Sequence, residues 1–254
     1  GCLIQRENMI LEAFLRDCIR KVEKTLQPVH TRFLDPLQQR MAKEILRKSF
    51  GIGCMWYGGY ADAERCVAVF YQEGNGDLEM ESPISVLRVT WNKRYHHFSH
   101  RDVLGAIMSL GIIRENIGDI LVDDDGAYIF VLSEIADFLL LHLLSIGKAS
   151  VNVEKLAEDD FIPPVPKTKE LRVTVSSLRL DTIVAAAYGV SRSKALPLIQ
   201  GGYVRVNWEE VLKPDKVLQE GDVISVKKKG RARILQVGDF TKKGRIAVTI
   251  MLYK

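Results

Sequence analysis

A cluster of three prolines limits how this chain can fold. Pro163, Pro164 and Pro166 lie within four residues, and proline lacks a backbone donor and disfavours helix before it, so the cluster favours an extended linker. The charge changes sign across it. Residues 1–166 contain 18 Lys and Arg against 24 Asp and Glu, whereas residues 167–254 contain 18 against 8, so the net charges are −6 and +10. We predict an acidic body, a linker at 161–168 and a basic C-terminal domain at 169–254.

The composition is that of a folded protein. The 254 residues are 47% hydrophobic and 27% charged, which suits two or three small domains. The longest apolar run, 135–146, is interrupted by Asp137 and His142 and is too short to span a bilayer, so no membrane partner is expected. The chain begins at Gly1 without methionine, which indicates a cloning remnant or a processed N-terminus, and a removed targeting peptide stays open.

The acidic body separates into two predicted domains, 1–80 and 81–160. The first is an α/β domain with helices at 4–26 and from Asp35, and strands at 55–60 and 66–71. The second alternates in the order β-α-β-β-α-β, which is typical of ferredoxin-like and RNA-recognition folds. Its predicted elements are strands at 84–91, 117–122, 128–132 and 150–153, a helix at 100–110 capped by Ser99, and a helix at 133–146 capped by Ser133.

The basic domain begins with two short helices and continues as strands. The helices are predicted from 179 to 189 and after Ser191, and strands at 171–175, 203–207, 223–226 and 246–252. The predicted fold class of the whole chain is therefore α+β.

The helix after Ser191 carries two cations where a helix disfavours them. Ser191 is a suitable N-cap, and Arg192 and Lys194 fall in the first turn, at the positive end of the macrodipole. A helix start with extra cations suits a bound anion, most often phosphate. The alternative is a solvated helix start without a ligand.

The order of motifs in this domain resembles the αL-type S-four RNA-binding module, which is also found in tyrosyl-tRNA synthetases and pseudouridine synthases. The matching text is Arg179-Leu180-Asp181, Ser191-Arg192-Ser193-Lys194, Leu198-Ile199, Gly202, Val204, Val206-Asn207, Lys213-Pro214 and Gly221-Asp222. The resemblance implies a basic face for structured RNA, formed by Arg179, Arg192, Lys194 and Arg205, with Asp181 as a helix cap or an ion-pair partner.

One position departs from the common module. Asn-Gly normally follows the strand, but here the pair is Asn207-Trp208. Trp208 would stack on an RNA base or pack on its own domain, and we favour packing.

A second resemblance extends over nearly the whole chain. Gly58-Gly59-Tyr60, Ala63-Glu64-Arg65, the run 99–105, Leu110-Gly111-Ile112, Arg114-Glu115, the run 117–120, Asn207-Trp208, Gly230-Arg231 and Thr241-Lys242-Lys243 are similar to the YlmH family. This family includes a cyanobacterial and plastid branch of photosystem II S-four domain proteins. The resemblance implies an N-terminal domain, an RNA-recognition-like middle domain and a C-terminal S-four module. It also implies RNA binding at the ribosome, in connection with stalled large subunits carrying peptidyl-tRNA and with the cell-division gene neighbourhood.

The predicted RNA-binding residues are basic or carry hydroxyl groups, and all but one lie in the C-terminal domain. They are Arg179, Ser191, Arg192, Ser193, Lys194, Arg205, Lys227, Lys228, Lys229, Arg231, Arg233, Lys242, Lys243 and, in the middle domain, Arg101. Lys93, Arg94 and Arg114 are further candidates.

No motif predicts catalysis, a metal or a cofactor. The four cysteines form no CxxC pair, adjacent His96 and His97 on a strand would point to opposite faces, and GxSxG, P-loop and HExxH motifs are absent from the sequence. The absence of these motifs favours a non-catalytic protein. The family resemblance implies that it binds structured RNA, namely ribosomal RNA with or without tRNA on the large subunit, in the cytoplasm or the plastid stroma.

Two alternatives stay open. One is an RNA-modifying enzyme, of the pseudouridine-synthase type or using Asp102 or His100. The other is a scaffold whose acidic domains recruit a cell-division or photosystem II assembly protein. For the RNA-binding hypothesis, we expect charge reversal at Arg192 and Lys194 to abolish RNA binding and to leave the fold intact.

Overall fold

The chain forms two compact units, Gly1–Pro164 and Val165–Lys254. They are seen in a computed structural model that describes residues 2–74, 81–157, 160–163 and 168–253. The predicted linker at 161–168 contains the boundary between the units, and its residues 164–167 lie outside the described part. Among the described helices, none is both long and apolar enough to cross a membrane.

The first part of unit 1 is a three-stranded sheet covered by two helices. Its elements are α1 (Cys2–Thr25), β1 (Val29–Leu34), α2 (Pro36–Leu46), β2 (Ile52–Tyr57) and β3 (Cys66–Gln72), with the antiparallel sheet order β1-β3-β2. Helix α1 buries Leu15, Ile19 and Val22, a helical stripe that packs against the sheet. Asp35 caps α2 in a capping box with Gln38, as the Asp-Pro pair predicts.

Strand β1 was not predicted because a polar residue occupies its buried face. Thr31 is buried between Val29 and Phe33, which removes the apolar alternation. Its hydroxyl donates to the carbonyl of Arg32 at 2.7 Å and accepts from the amide of Ala68 at 3.0 Å. The hydroxyl is therefore satisfied within the sheet.

The second part of unit 1 has the predicted β-α-β-β-α-β order. Its elements are β4 (Ile84–Thr90), α3 (His100–Met108), a 3-10 turn (Arg114–Asn116), β5 (Ile117–Val122), β6 (Gly126–Leu132), α4 (Ser133–His142), the short strands β7 (Ser145–Ile146) and β8 (Ala149–Ser150), and β9 (Asn152–Leu156). The four-stranded antiparallel sheet has the order β5-β6-β4-β9, with the first and third strands of the motif in the centre. This is the ferredoxin-like arrangement.

The end of this motif differs from the prediction. Helix α4 stops at His142 rather than at 146, because the chain turns through Gly147 at φ 58° and pairs β7 with β8. Ser133 is the first residue of α4 rather than its cap, and its hydroxyl bonds to that of Ser85. The last strand accordingly begins at Asn152.

The two sheets of unit 1 pack against each other. Phe33 and Val67 from the N-terminal sheet share a buried cluster with Ile84, Val86 and Phe130 from the middle sheet. Each part also has an apolar cluster of its own. We propose that residues 1–80 and 81–160 are two domains joined into one unit by this interface.

A buried carboxylate holds the same interface through polar contacts. Asp119 on β5 accepts hydrogen bonds from the Tyr60 hydroxyl at 2.5 Å and from the amides of Glu64 and Arg65 at 2.8 and 3.0 Å. The guanidinium of Arg65 donates to the carbonyl of Ile117 at 3.1 Å. Burial, and after it the Asp119 carboxylate, raises the pKa of Tyr60, so its hydroxyl stays a donor. The motifs around residues 60, 65 and 119 are therefore explained by contact between the domains.

Unit 2 is a six-stranded antiparallel sheet with two helices on one face. Its elements are β10 (Thr168–Val175), α5 (Leu180–Tyr188), α6 (Arg192–Gln200), β11 (Val204–Val206), β12 (Glu209–Glu210), β13 (Val223–Val226), β14 (Gly230–Phe240) and β15 (Ile246–Tyr253). The sheet order is β10-β15-β14-β13-β11-β12. Leu180, Ile183 and Ile199 of the helices pack on Val204 and Ile224 of the sheet. The predicted α+β class is confirmed for both units.

We predict that Asp119→Ala weakens unit 1 by about 2 to 4 kcal/mol, because three half-buried donors lose their buried acceptor. Chemical denaturation monitored by hydrogen exchange in β3 and β5 measures the change. Asp124→Ala on the exposed β5–β6 turn is the matched control and should be within 0.5 kcal/mol of the wild type, a typical surface effect of roughly that size. Equal stability of both variants would show that Asp119 does not hold the interface.

Candidate RNA interface

Helix α6 begins as the sequence predicts. Ser191 has extended backbone angles, and its hydroxyl accepts from the amide of Lys194 at 3.3 Å. The Ser191 and Ser193 hydroxyls lie 2.8 Å apart and form a hydrogen bond. Ser191, Arg192, Ser193 and Lys194 are all exposed, so the first turn of α6 faces solvent.

A buried carboxylate links the starts of the two helices. Asp181, in the first turn of α5, is 2% exposed. It accepts from Nε and Nη2 of Arg179, both at 3.1 Å, and from Nη2 of Arg192 at 2.7 Å. The amide of Thr182 also donates to it at 2.8 Å. Of the two roles predicted for Asp181, the structure shows the ion-pair partner.

These contacts explain how α6 tolerates Arg192 in its first turn. Burial raises the pKa of Asp181, but the hydrogen bonds from Arg179 and Arg192 outweigh it and lower that pKa to about 2. The hydrogen bond with Asp181 also raises the pKa of Arg179. Two guanidiniums therefore share one carboxylate and keep a net charge of one, while their side chains remain 41% and 54% exposed and are accessible to an anion.

The contact between Arg192 and Asp181 leads us to expect that charge reversal at Arg192 disturbs the fold as well as RNA binding. Glutamate at that position would place a second carboxylate beside the buried Asp181. Lys194 is the better site for a charge-reversal test, because its ammonium contacts no acceptor among the described residues.

A second group of cations lies on the other face of the sheet. Val204 and Val206 are buried beneath the helices, so Arg205 between them points to the outer face. Arg205 lies opposite Ser225, and Ser225 lies opposite Arg231. Arg233 is two residues beyond Arg231 on the same strand. The implied single face that joins Arg205 to Arg179, Arg192 and Lys194 is therefore wrong.

Strand β14, which carries Arg231 and Arg233, was not predicted. Ala232 and Ile234 are buried and alternate with the two arginines. This alternation is the signal in the sequence that could have identified the strand.

The remaining candidates lie in turns. Lys227, Lys228 and Lys229 are exposed between β13 and β14, with the Lys227 ammonium 5.6 Å from the centre of the Tyr203 ring. The Tyr188 hydroxyl donates to the carbonyl of Gly230 at 3.0 Å, which fixes this turn relative to α5. Lys242 and Lys243 are exposed in the turn between β14 and β15. The structure therefore shows four groups of cations. They are the helix-start group (Arg179, Arg192, Lys194), the outer-face group (Arg205, Arg231, Arg233), and two lysine turns at 227–229 and 242–243.

The middle-domain candidates are divided between free and engaged side chains. Arg101 is exposed in the first turn of α3. Lys93 and Arg94 are also exposed and lie in the turn that precedes this helix. Arg114 donates through Nη1 to the carbonyls of Ile117 and Gly118, at 2.5 and 3.1 Å, so it supports the chain locally instead.

The two residues of the enzyme hypothesis lie at the start of α3. Asp102 accepts from the amide and the hydroxyl of Ser99, both at 2.8 Å, in a capping box, and these bonds lower its pKa. Burial, followed by the charge of Arg114, lowers the pKa of His100. Helix capping accounts for Asp102. Among the described residues, no three His, Cys, Asp or Glu side chains converge on a metal site.

The sheet face that RNA-recognition folds use for base stacking is covered here. Tyr128 and Phe130 lie on central strand β6, where such folds stack bases on aromatic rings. The ring of Phe161 packs at 4.9 Å from Tyr128 and 5.1 Å from Phe130, and Tyr60 stacks on Phe130 at 5.4 Å. Arg88 lies 4.4 Å from the Tyr128 ring. Sequence reasoning missed this cover, which depends on contacts between distant segments.

Family comparisons agree with this architecture. The family models that match are "YlmH, N-terminal" over residues 12–73, "Putative RNA-binding domain in YlmH" over 79–160, and "S4 domain" over 178–224. Two helices on a basic antiparallel sheet, together with the last match, define a protein of the S4-domain RNA-binding class.

Comparisons with individual proteins extend over most of the chain. "Ribosome-associated protein quality control protein P2" of Bacillus subtilis (strain 168) is 32% identical over 230 residues, which is 91% of this chain and 89% of the relative. A solved structure named "Cell division protein ylmH from Streptococcus pneumoniae" has a TM-score of 0.52 and 26% identity, and the match covers 62% of this chain and 95% of that one. The chain belongs to the YlmH family.

We predict that Asp181→Asn destabilises α5 and α6 most at neutral pH. The pKa of Asp181 is lowered from an ordinary value of about 3.9 to about 2, so its stabilising contribution is complete above pH 4 or so. That contribution, on the order of 2 kcal/mol, disappears as the pH falls from about 4 to about 2. Hydrogen exchange of α5 and α6 amides should show a gap between wild type and variant that narrows over this range. A gap independent of pH would contradict the role of Asp181.

We predict that Phe161→Ala destabilises unit 1 by roughly 1 to 3 kcal/mol, because its ring packs on Tyr128 and Phe130. RNA affinity should be unchanged, because all but one of the predicted RNA-binding residues lie in unit 2. Ile162→Ala, at a neighbouring side chain that is 79% exposed, is the control for stability. Filter binding with ribosomal RNA measures affinity. Tighter binding by Phe161→Ala would show that the covered sheet face binds RNA when opened.

Proposed function

We propose that this protein is a non-catalytic RNA-binding protein that acts on the ribosome. The observation that carries the proposal is the exposed start of α6, where Asp181 positions Arg179 and Arg192 beside Ser191 and Lys194. Guanidiniums fixed in this way are suited to bidentate contact with phosphate. Such an arrangement is costly for a domain without a ligand, because two cations are held together at a helix start.

Charge supports RNA as the ligand. The net charge of +10 in residues 167–254 favours a polyanion, and neutralisation of backbone phosphates would supply most of the affinity. Because the cations contact phosphate rather than bases, the shape of the RNA would select the site. Structured RNA therefore fits better than a defined linear sequence.

The name of the Bacillus subtilis relative supports a ribosomal target. The Bacillus subtilis protein is called ribosome-associated and is matched along most of both chains. We propose ribosomal RNA, with or without tRNA, on the large subunit as the target. This would place the protein in the cytoplasm, or in the plastid stroma if a transit peptide has been removed.

We assign a protein contact, rather than RNA, to the acidic domains. Residues 1–166 have a net charge of −6, which repels a polyanion, and the aromatic face of the middle sheet is already covered. The solved relative is named a cell division protein. A protein partner recovered by the acidic unit after ribonuclease treatment would support this assignment, and binding of RNA by that unit alone would contradict it.

Co-sedimentation with separated ribosomal subunits over a salt series tests the proposed function. We expect binding to the large subunit that weakens steeply with salt, because each phosphate contact releases counterions. Equal binding to both subunits would remove the large-subunit proposal. No binding to either would remove the ribosomal proposal.

We predict that Lys194→Glu lowers affinity for the large subunit about tenfold or more, since a cation at the phosphate contact becomes an anion. Lys169→Glu is the matched control. It makes the same change of charge on edge strand β10 and should alter affinity much less. Equal effects of Lys194→Glu and Lys169→Glu would show that only net charge matters.

Neutralising Lys227, Lys228 and Lys229 together should make the dependence of binding on salt concentration less steep. The slope of log affinity against log salt should fall by about 0.7 to 0.9 for each RNA phosphate that these lysines neutralise in the wild type.

A further inference from the structure

The turn between β11 and β12 holds a tryptophan in an unfavourable backbone conformation. Val206 pairs with Glu209, so Asn207 and Trp208 form a two-residue hairpin turn, with φ angles of 48° and 66°. Such turns favour Asn-Gly, because a residue with a side chain is strained at positive φ. Strain of this kind persists where the surroundings fix it, often at functional sites.

The surroundings fix this turn through Asn207. Its side chain donates to Asp222 at 2.9 Å and accepts from the amide of Val223 at 2.9 Å, while its own amide donates to the carbonyl of Val223 at 2.8 Å. These bonds do not use the indole of Trp208. The turn therefore has its own support, and glycine at position 208 would suit its backbone better than tryptophan does.

The half-buried indole of Trp208 lies near Arg231, whose position on β14 places it on the outer face of the sheet, so the expected packing of Trp208 on its own domain is partial. The guanidinium of Arg231 lies 5.9 Å from the centre of the Trp208 ring. Arg231 belongs to the cross-strand row that also contains Arg205 and Ser225, and the helices pack on the opposite face. Indole and guanidinium are both flat groups on which RNA bases stack.

The charge of this face fits a nucleic acid strand. The face carries the cations Arg205, Arg231 and Arg233. The carboxylate of Glu210, which pairs with Arg205 across the strands, offsets one of these charges. The exposed turn Lys227–Lys229 joins the two strands β13 and β14 of the same sheet. Cations around flat side chains are the pattern of single-strand binding surfaces, in which phosphates meet the cations and bases stack.

We propose that the outer face of the unit 2 sheet binds an unpaired nucleotide segment, with a base stacked on the Trp208–Arg231 pair and phosphates near Arg205 and Arg233. The proposal rests on the proposed RNA-binding function and adds a second contact to it. The helix-start group lies on the helical side of the sheet and the stacking pair on the other side. The matching ligand is a structured RNA with an adjoining single-stranded segment.

Binding of a short unstructured RNA oligonucleotide tests the proposal, with a blunt RNA duplex of the same length as the comparison. We expect Trp208→Gly to weaken binding of the oligonucleotide about tenfold, the usual effect of removing the partner of one stacked base, and to leave duplex binding unchanged. Trp208→Phe keeps an aromatic ring and should recover most of the affinity. Arg231→Lys keeps the charge but removes the flat guanidinium, and should behave like Trp208→Gly.

The results of this experiment are distinguishable. Equal oligonucleotide affinity of wild type and Trp208→Gly would overturn the stacking site, and the proposed function would stand if both still bind duplex or ribosomal RNA. Equally weakened binding by Trp208→Gly and Trp208→Phe would also overturn stacking. If the wild type binds neither of these RNAs nor ribosomal RNA, the proposed function falls together with the stacking site. Thermal unfolding of each variant checks the fold, and Trp208→Gly is expected to unfold at or above the wild-type temperature, since glycine relieves the turn.

Discussion

The buried carboxylate of Asp181 determines the arrangement of the basic unit. A charge that is 2% exposed needs a partner within the protein, and Arg179 and Arg192 supply it from the starts of two helices. The ion pairs of these three side chains fix α6 relative to α5. In this arrangement Ser191 caps α6 and Lys194 faces solvent. Without the carboxylate, the two guanidiniums would repel each other. With it, a local net positive charge is held in a fixed geometry.

The two units differ in net charge and in the side chains that they expose. Unit 2 is basic and exposes cations on both sides of its sheet, whereas unit 1 belongs to the acidic part of the chain. The middle domain has a fold shared by many RNA-binding proteins, yet its aromatic sheet face lies under Phe161 and the N-terminal domain. A fold shows how strands are arranged, and only the exposed side chains show what it binds. The fold of the middle domain is one that often binds RNA, but the sheet face that would stack bases is not accessible here.

Local signals in the sequence predicted much of the fold. The caps at Asp35, Ser99 and Ser191 depend on neighbouring residues, and all three lie where expected. Strand β1 was missed because buried Thr31 breaks its apolar pattern, so that its partners in the sheet outweigh a weak local signal. Strand β14 was missed although Arg231 and Arg233 alternate with buried Ala232 and Ile234, which is the pattern of a half-buried strand.

The candidate site was less predictable than the fold. Arg192 could be identified as a cation at a helix start, but its bond to Asp181 joins residues eleven positions apart through packing of two helices. Arg205 was grouped with the helix cations until strand alternation placed it on the outer face. The cover over Tyr128 joins segments far apart in sequence, and no short motif encodes such a contact.

Ultraviolet crosslinking of the intact protein to large ribosomal subunits, with mass-spectrometric mapping of the RNA-linked peptides, tests the central claim most directly. The account predicts crosslinked peptides from the start of α6 and from the outer face of the unit 2 sheet, including the peptide with Trp208. Crosslinks concentrated on β4 and β6 of the middle domain, with none in residues 168–253, would contradict it.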